Sequence, residues 1–273
     1  MPHTTGRHEL GQNFLVDPRV VDTVLSVVAT WPDDRPLLEL GPGDGALTGP
    51  LAALGRPVTA VEIDARRAAR LRRRLAGRVD VVRGDLARHR LDTGADIVSN
   101  VPYGITTPLL RRLLGAPHWH HAILLLQWEV ARKRAGVGGT TLMAAQWWPW
   151  FTFGLVHRVP ATSFRPVTSV DGGLLEVRRR PVPLVADAVH HRSVVTETFT
   201  GRGRGVLDVV GRRHGRSVRD LWARSSSVGS RDLPRDLDVE QWVTLAELVP
   251  RRSESQQRRG RGRDDDHRQE RHP

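Results

Sequence analysis

The chain has 273 residues and a net charge of +12 at pH 7, which allows one large domain plus a small one and favours a polyanionic partner, nucleic acid before an anionic membrane. It contains no cysteine, which excludes disulfides, thiolate metal sites and a thiol nucleophile. It also has no apolar run of about 20 residues and no apolar signal-peptide core, so we expect a cytoplasmic protein without a membrane partner.

Short apolar runs alternate with longer amphipathic stretches between residues 36 and 126. This alternation predicts an α/β fold, in which helices cover both faces of a mostly parallel sheet. Ligands of such sheets bind at the carboxyl ends of the strands, near the point where the strand order reverses. We predict strands at 37–40, 58–62, 79–82, 95–98 and 122–126, and helices at 17–29, 46–54, 65–76 and 106–115.

Polar features follow each of the first three predicted strands. The glycine-rich segment from Gly41 to Gly45 lets the backbone pass close to a ligand with no Cβ in the way. Glu62 ends the second strand, where a carboxylate can accept hydrogen bonds from both hydroxyls of a ribose. Asp85 follows the third strand and can accept a hydrogen bond from the amine of an adenine ring. Together these features predict a pocket for a nucleoside.

The spacing within the glycine-rich segment decides between nucleoside cofactors. The dinucleotide fingerprint G-x-G-x-x-G places its last glycine at the start of the helix, whereas here the glycines stand at 41, 43 and 45. Asp44 lies inside the segment, and an acid there is unfavourable beside a pyrophosphate but compatible with an ammonium and a sulfonium. The pattern therefore favours S-adenosylmethionine over NAD.

The four residues Asn100-Val101-Pro102-Tyr103 follow the fourth predicted strand. Asn100 offers a side-chain carbonyl and Val101 a backbone carbonyl, and Pro102 biases Val101 to an extended conformation. Tyr103 offers a flat ring for stacking. Two acceptors would draw the delocalised amine of adenine toward a tetrahedral, reactive geometry. A strand end followed by a proline turn is the purely structural interpretation, and these four residues alone do not exclude it.

Residues 139–180 contain a second cluster of aromatic side chains. A helix is expected to end in the run from Gln146 to Phe151, and we interpret its tryptophans as core or interdomain packing. Phe164 follows in a proline-containing loop, from which it can cover a target base on the face opposite Tyr103, or serve packing alone. A closing strand is predicted at 173–177.

A Pro-Val-Pro linker at 181–183 precedes a predicted small helical domain at 181–250, with helices near 184–199, 205–214, 217–225 and 239–249. One basic face of this domain is expected to contact RNA phosphates without reading sequence. Residues 251–273 lack apolar periodicity and predict a disordered Arg/Gly-rich tail that adds loose electrostatic affinity for RNA. The basic face comprises Arg202, Arg204, Arg212, Arg213, Arg216, Arg219 and Arg224.

In combination the motifs resemble the erythromycin-resistance (Erm) ribosomal RNA adenine N6-methyltransferases. The runs Gln146–Phe151 and Val170–Leu175 are similar to the actinobacterial branch of that family. The related small-subunit dimethyltransferases usually carry a Lys-Val-Asp-Ser-like sequence after their Phe-x-Pro, whereas Val167–Gly173 stands here, which favours the Erm branch. The shared motifs are Gln12-Asn13-Phe14-Leu15, Glu39 to Gly45, Val61-Glu62-Ile63-Asp64, Gly84-Asp85, Asn100-Val101-Pro102-Tyr103 and Phe164-Arg165-Pro166.

The resemblance implies a class I, Rossmann-like S-adenosylmethionine methyltransferase domain over residues 1–180. It implies catalytic roles for Asn100, Val101, Pro102, Tyr103 and Phe164, with the rings of Tyr103 and Phe164 sandwiching an adenine that is flipped out of its stack. The cofactor contacts that it implies are Gln12, Asn13, Leu15, Gly41, Gly43, Glu62, Ile63, Asp85, Leu86 and Asn100.

Three functions stay open at this point. The first is methylation of N6 of an adenine in the peptidyl-transferase loop of 23S rRNA, in protein-free or precursor RNA, which gives resistance to macrolides, lincosamides and streptogramin B. The second is dimethylation of small-subunit (16S) rRNA during ribosome maturation. The third is an RNA-binding assembly factor that has lost activity. We expect a monomer.

Overall fold

The computed structural model describes residues 13–91 and 93–251. The chain divides into two compact units, the first ending at Leu184 and the second starting at Val185. None of the helices in the described ranges is long and apolar enough to cross a membrane. The strands of the first unit are β1 (Phe14–Leu15), β2 (Leu37–Leu40), β3 (Val58–Glu62), β4 (Asp80–Arg83), β5 (Asp96–Asn100), β6 (His121–Gln127), β7 (Phe151–Val159), β8 (Phe164–Arg165) and β9 (Gly172–Arg179).

The first unit also contains helices, and the described part of the second unit is helical. The first unit contains α1 (Pro18–Val28), α2 (Thr48–Ala52), α3 (Ala65–Arg74), α4 (Thr106–Gly115), α5 (Trp128–Arg134) and α6 (Leu142–Trp147). The second contains α7 (Ala188–Phe199), α8 (Val206–His214), α9 (Arg216–Ser226) and α10 (Val239–Leu248).

Seven strands form one sheet in the order β4-β3-β2-β5-β6-β9-β7. The strands β4, β3, β2, β5 and β6 pair in parallel, and β9 pairs antiparallel with both β6 and β7. The predicted mostly parallel sheet is therefore confirmed. The order reverses at β2, because the chain continues to β3 on one side of it and returns to β5 on the other, and a ligand cleft is expected at the carboxyl ends of these strands.

Apolar side chains on both faces of the sheet hold the helices in place. Leu37 of β2 belongs to an apolar cluster with the valines of α1, whereas Leu38 belongs to a second cluster with the leucines of α4. Consecutive residues of a strand point to opposite faces, so the two clusters lie on the two sides of the sheet. At the ends of the central strands, the buried Ser99 hydroxyl donates to the Leu40 carbonyl (2.8 Å) and ties β5 to β2.

A two-stranded pair that the sequence did not predict joins distant parts of the first unit. In it β1 and β8 are antiparallel, with Leu15 opposite Phe164. Asp17 supports this pair, since it caps α1 at the Arg19 amide and its Oδ2 also accepts a hydrogen bond from the Ser163 hydroxyl (2.9 Å). The segment in front of the first helix is thereby fastened to the loop that precedes β9.

The remaining differences from the predicted elements are small and local. The helix expected at 46–54 is the shorter α2, because Gly45 and Gly55 adopt positive φ angles of 82° and 78° on either side of it. The seven-residue helix α5 was not predicted. The predicted helix end and strand entry around Gln146–Phe151 agree with α6 and β7.

Two tryptophans are buried in the described part of the second unit. Trp222 of α9 and Trp242 of α10 are both fully buried, and the Trp222 indole donates to the Gln241 carbonyl (2.9 Å). The Trp242 ring stacks on Phe199 of α7 at a centroid distance of 6.0 Å. The helical character predicted for this region matches these elements, while the predicted tail beyond Arg251 lies outside the described residues.

Candidate active site

A cleft with about 900 Å³ of space opens at the carboxyl ends of the central strands. Four carboxylates line it, and none of the described residues that line it is Arg, Lys or His, although the chain as a whole carries a net charge of +12. Such a lining favours a ligand that is cationic and rich in hydrogen-bond donors. The four carboxylates belong to Glu39, Asp44, Glu62 and Asp85.

The glycine-rich segment forms one wall of the cleft. Glycine is required at these positions because a larger side chain would not fit. Gly43 has a φ of 56°, and a Cβ placed on it would lie 3.0 Å from the Phe14 ring. Gly41 has a φ of 72°, and a Cβ there would lie 3.1 Å from the Leu86 side chain. The glycines thus allow the Phe14 and Leu86 side chains to pack closely against the backbone, and the predicted close approach of a ligand stays a prediction.

Glu62 fastens the glycine-rich segment to the end of β3. Its side chain is nearly buried, with 3% of the residue exposed. One carboxylate oxygen accepts a hydrogen bond from the Gly43 amide (2.9 Å) and the other from the Asp64 amide (2.8 Å). Each oxygen has a second lone pair, so the carboxylate can still accept from the two hydroxyls of a ribose in the cleft.

Asp85 sits just beyond β4, between apolar lining residues. Its Oδ1 accepts a hydrogen bond from the Ala87 amide (2.8 Å), and its Oδ2 lies 3.8 Å from the exposed Arg88 guanidinium. Ile63 is 47% exposed and Leu86 is 8% exposed, and both line the cleft. An apolar surface with a carboxylate at its edge is suited to a flat ring that carries an amine.

The orientation of the Asn100 amide follows from its one hydrogen bond. Its Nδ2 donates to the backbone carbonyl of Asn13 (2.7 Å), and a carbonyl can only accept, so the amide nitrogen must face Asn13. Its Oδ1 therefore points away from Asn13, and no described residue donates to it. Next to it, the Val101 amide donates to the Leu125 carbonyl (3.0 Å), which extends the β5–β6 ladder and fixes this peptide.

Tyr103 begins a short 3-10 turn directly after Pro102 and does not line the cleft. Its hydroxyl is buried and makes no well-formed hydrogen bond within the described residues. Burial raises the pKa of the Tyr103 phenol above its usual 10, the nearby Thr168 hydroxyl opposes the rise, and the charge of Asp171 adds to it. The phenol is therefore neutral at physiological pH.

The structure does not bring Phe164 to the cleft. Its ring is fully buried in the cluster that also contains Leu15 and Leu174, and a Cβ placed on Gly172 would lie 3.1 Å from it. The predicted sandwich of a base between Tyr103 and Phe164 is not formed in this arrangement, because pairing of β8 with β1 draws Phe164 into the core. Stacking on Phe164 would require this ring to leave its packing.

Most of the remaining predicted site residues line the cleft. Gln12 is the exception in this set, because it lies outside the described residues. Among those implied as cofactor contacts or catalytic residues, the ones that line the cleft are Asn13, Leu15, Gly41, Gly43, Glu62, Ile63, Asp85, Leu86, Asn100, Val101 and Pro102.

Glu39 is a lining residue to which the sequence analysis gave no role. It is 2% exposed, and its Oε2 is buried without a hydrogen-bond partner in the described part of the chain. Burial raises the pKa of Glu39 to about 7, against the opposing effect of the Thr48 hydroxyl, and the charge of Glu62 adds to the rise. The sequence signal that could have identified Glu39 is its position as an acid inside the otherwise apolar β2. Burial of a carboxylate without a ligand costs free energy.

Arginines of α3 hold the glycine-rich segment from outside, and these were also missed. Arg74 donates to the Asp44 carbonyl (2.8 Å), and a Cβ on Gly45 would collide with its guanidinium. Arg70 and Arg67 contact the Asp44 carboxylate, and Arg67 also lies 4.5 Å above the Phe14 ring. Asp44, which we interpreted as a partner for a cationic cofactor, is thus already paired with arginines.

The cleft fits S-adenosylmethionine. The unpartnered Glu39 oxygen, the Glu62 and Asp85 carboxylates and the Asn100 Oδ1 are acceptors, and the molecule presents an ammonium, two ribose hydroxyls and an adenine amine as donors. Within the part of the chain that the structure describes, no basic side chain lines the cleft, which disfavours a dinucleotide, whose pyrophosphate needs cationic or amide donors.

Comparison with known proteins agrees with this geometry. The family model "Ribosomal RNA adenine dimethylase" matches residues 3–250. The mycinamicin-resistance protein MyrB of Micromonospora griseorubida is 52% identical over 253 residues, which cover 90% of this chain and 80% of that protein. An rRNA adenine N-6-methyltransferase of Corynebacterium diphtheriae is 47% identical over 212 residues, covering 76% of this chain and 83% of the relative.

A solved structure is similar over nearly its whole length. The crystal structure of the 23S rRNA methyltransferase ErmE has a TM-score of 0.80 and 33% identity, and the match covers 87% of this chain and 99% of that one. The chain therefore belongs to the ribosomal RNA adenine dimethylase family, as a class I methyltransferase whose cofactor is S-adenosylmethionine.

Proposed function

We propose that the chain transfers a methyl group from S-adenosylmethionine to N6 of an adenine in the peptidyl-transferase loop of 23S rRNA, and so confers resistance to macrolides, lincosamides and streptogramin B. The observation that carries this proposal is the fixed Asn100 amide, whose Oδ1 accepts no hydrogen bond from a described residue and lies beside an acceptor-rich cleft. The similarity to MyrB, a mycinamicin-resistance protein, and to ErmE, a 23S rRNA methyltransferase, supports the resistance and the large-subunit target.

The acceptor groups at the end of β5 orient the amine. Asn100 Oδ1 and the Val101 carbonyl each accept one N–H of the target adenine, which draws the nitrogen lone pair out of conjugation with the ring. When bound, S-adenosylmethionine would supply a methyl group on a positively charged sulfur, which would keep the electron pair of the S–C bond as the methyl group passes to the amine. Catalysis is then mainly orientation and charge placement.

No side-chain base is needed before transfer, because the amine becomes acidic only after it has been methylated. The raised pKa of the Tyr103 phenol is consistent with transfer without a side-chain base, because it leaves that side chain neutral. The excess proton then passes to water. Tyr103 contributes the face of its ring to the extruded base, where stacking stabilises by roughly 1–3 kcal/mol.

The cofactor contacts follow from the same cleft. Glu62 accepts the two ribose hydroxyls through the lone pairs that Gly43 and Asp64 leave free. Asp85 would accept a hydrogen bond from the amine of the cofactor's adenine, and Ile63 and Leu86 offer the apolar surface that would hold its ring. Glu39 faces the cationic end of the molecule, where a positive charge favours its ionised form.

The substrate is proposed to be protein-free or precursor large-subunit RNA, bound by a monomer whose helical unit contacts backbone phosphates. The experiment is transfer of tritiated methyl groups to purified 23S and 16S rRNAs, each with and without ribosomal proteins, followed by identification of the product nucleoside by mass. Label on N6 of a 23S adenine in protein-free RNA is expected. Label only on 16S rRNA would assign the chain to ribosome maturation. Cofactor binding with no label on either RNA would favour an inactive assembly factor.

A further inference from the structure

The segment Gly201–Gly205 of the helical unit alternates glycine and arginine, and the structure gives the alternation a reason. A Cβ on Gly203 would lie 2.9 Å from the Val209 side chain, and one on Gly205 would lie 2.5 Å from the Ser230 carbonyl. A Cβ on Gly201 would also collide with Val209. The backbone at these glycines therefore packs directly against Val209 of α8 and against the Ser230 carbonyl. The two arginines between the glycines are exposed.

Two further contacts hold this segment on α8. Arg212 donates to the Arg202 carbonyl (3.3 Å) and forms an ion pair with Asp208 (2.7 Å). The same Asp208 carboxylate accepts a hydrogen bond from the Arg204 amide (3.1 Å). The backbone between the end of α7 and the start of α8 is thus fixed on both sides, which positions its exposed side chains before any ligand arrives.

A notch with about 620 Å³ of space lies between this segment and α8. Its lining consists of three arginines, the polar Thr200 and the nearly buried Val209. The side chains of Arg202 and Arg213 are exposed and make no hydrogen bond or ion pair with any described residue. We call this feature the arginine notch, and its lining residues are Thr200, Arg202, Val209, Arg212 and Arg213.

We propose that the arginine notch is a binding site for a backbone phosphate of the RNA substrate, held by the free guanidinium groups of Arg202 and Arg213. Guanidinium groups present planar pairs of donors that match phosphate oxygens. Arg212 is already paired with Asp208 and has a structural role in the notch. Val209 is 4% exposed, so the notch offers no apolar anchor for a lipid. The site rests on the proposed function, because it takes its ligand to be RNA.

The test compares Arg202→Gln and Arg213→Gln, singly and together, with Arg231→Gln as a matched control. Arg231 is exposed in the same helical unit, lies outside the notch and outside the predicted basic face, pairs with no described residue and loses the same charge. The dissociation constant for 23S rRNA is measured over a series of salt concentrations. Loss of one phosphate contact should lower the salt slope by about 0.9 and weaken binding roughly eightfold at 0.1 M salt. The control should keep the wild-type slope.

Other measurements separate the outcomes. The midpoint of thermal unfolding and the cofactor affinity should equal those of the wild type, which shows that the variants are folded. Equal effects of the notch variants and of Arg231→Gln would mean diffuse attraction and would overturn the notch. Micromolar binding of inorganic phosphate that requires Arg213, with an unchanged RNA slope, would also overturn it. If the wild type itself fails to bind or methylate 23S rRNA, the proposed function fails instead.

Discussion

The cofactor cleft and the arginine notch carry opposite charge within one strongly basic chain. Among the described residues, the cleft is lined by four carboxylates and by no basic residue, whereas three of the five residues that line the notch are arginines. In the cleft Glu39 and Glu62 are buried, and Glu62 is held by the Gly43 amide. In the notch the free guanidinium groups are exposed on a fixed backbone. The charge of the residues that line each site therefore matches the proposed ligand, a small cation in the cleft and a polyanion in the notch, and does not follow the net charge of the chain.

The largest expected effect is on an uncharged acceptor of the cleft. Asn100→Ala removes the Oδ1 that orients the amine, so the single-turnover rate of methyl transfer should fall roughly 100-fold, as for other positioned hydrogen-bonding groups. The cofactor dissociation constant, measured by calorimetry, should change by less than about threefold. An unchanged rate would show that Asn100 does not orient the amine, and a large loss of cofactor affinity would move its role from transfer to binding.

A smaller effect is expected when the charge of Glu62 is removed. Glu62→Gln should weaken S-adenosylmethionine binding by about 2 kcal/mol, roughly thirtyfold, because hydrogen bonds to an ionised acceptor are lost. Glu247→Gln makes the same change on an exposed site of the helical unit and should leave this affinity unchanged. Equal affinity of the two variants for the cofactor would break the account of the acidic cleft.

Acid should weaken cofactor binding through Glu39. The pKa of this carboxyl is raised to about 7, so its ionised fraction falls about tenfold between pH 8 and pH 6, and the dissociation constant should rise by up to the same factor. Glu39→Gln should flatten that pH dependence. Retention of the full pH dependence in this variant would show that another group titrates.

The same shift affects folding stability in the opposite direction. The folded-state pKa of about 7 lies above the usual 4.5, so between these values the folded chain binds more protons than the unfolded one. The contribution of Glu39 to the free energy of unfolding therefore falls as the pH rises from 4.5 to 7. Thermal unfolding of the cofactor-free wild type and of Glu39→Gln across this window measures it.

Arg74 is an arginine that serves the acidic cleft and not RNA, and it gives the smallest expected effect. Arg74→Ala removes its hydrogen bond to the Asp44 carbonyl and loosens the glycine-rich segment. A loss of about 1 kcal/mol, roughly fivefold in cofactor affinity, is expected. Arg73→Ala, an exposed neighbour on α3, should leave cofactor affinity unchanged. If both variants weaken RNA binding and leave cofactor affinity unchanged, the arginines of α3 belong to an RNA-binding surface and do not support the cleft.

Local patterns in the sequence predicted the parallel sheet and the positions of Glu62, Asp85 and Asn100. They did so because strand periodicity and strand ends are local, and the sheet topology brings those ends together. The burial of Phe164 was not predictable in this way, since it depends on pairing with Leu15 and on packing beside Gly172.

The arginines of α3 escaped prediction for the same physical reason. Arg67, Arg70 and Arg74 recur at helical spacing on one face, but a run of arginines equally fits a solvated surface. Their contacts with Asp44 join residues more than twenty positions apart, and only the folded chain shows them. The arginine notch likewise needs the packing of its glycines against Val209 to become visible.

We propose that the acidic cleft binds the cofactor and that exposed arginines bind RNA. One salt series on the wild-type protein tests both statements together. The dissociation constants for S-adenosylmethionine and for 23S rRNA are measured in parallel from about 50 to about 200 mM salt. RNA affinity should fall about a hundredfold or more, while cofactor affinity should change less than about twofold, because buried charges are screened little. RNA affinity that is independent of salt, or cofactor affinity that falls as steeply as RNA affinity, would contradict the account.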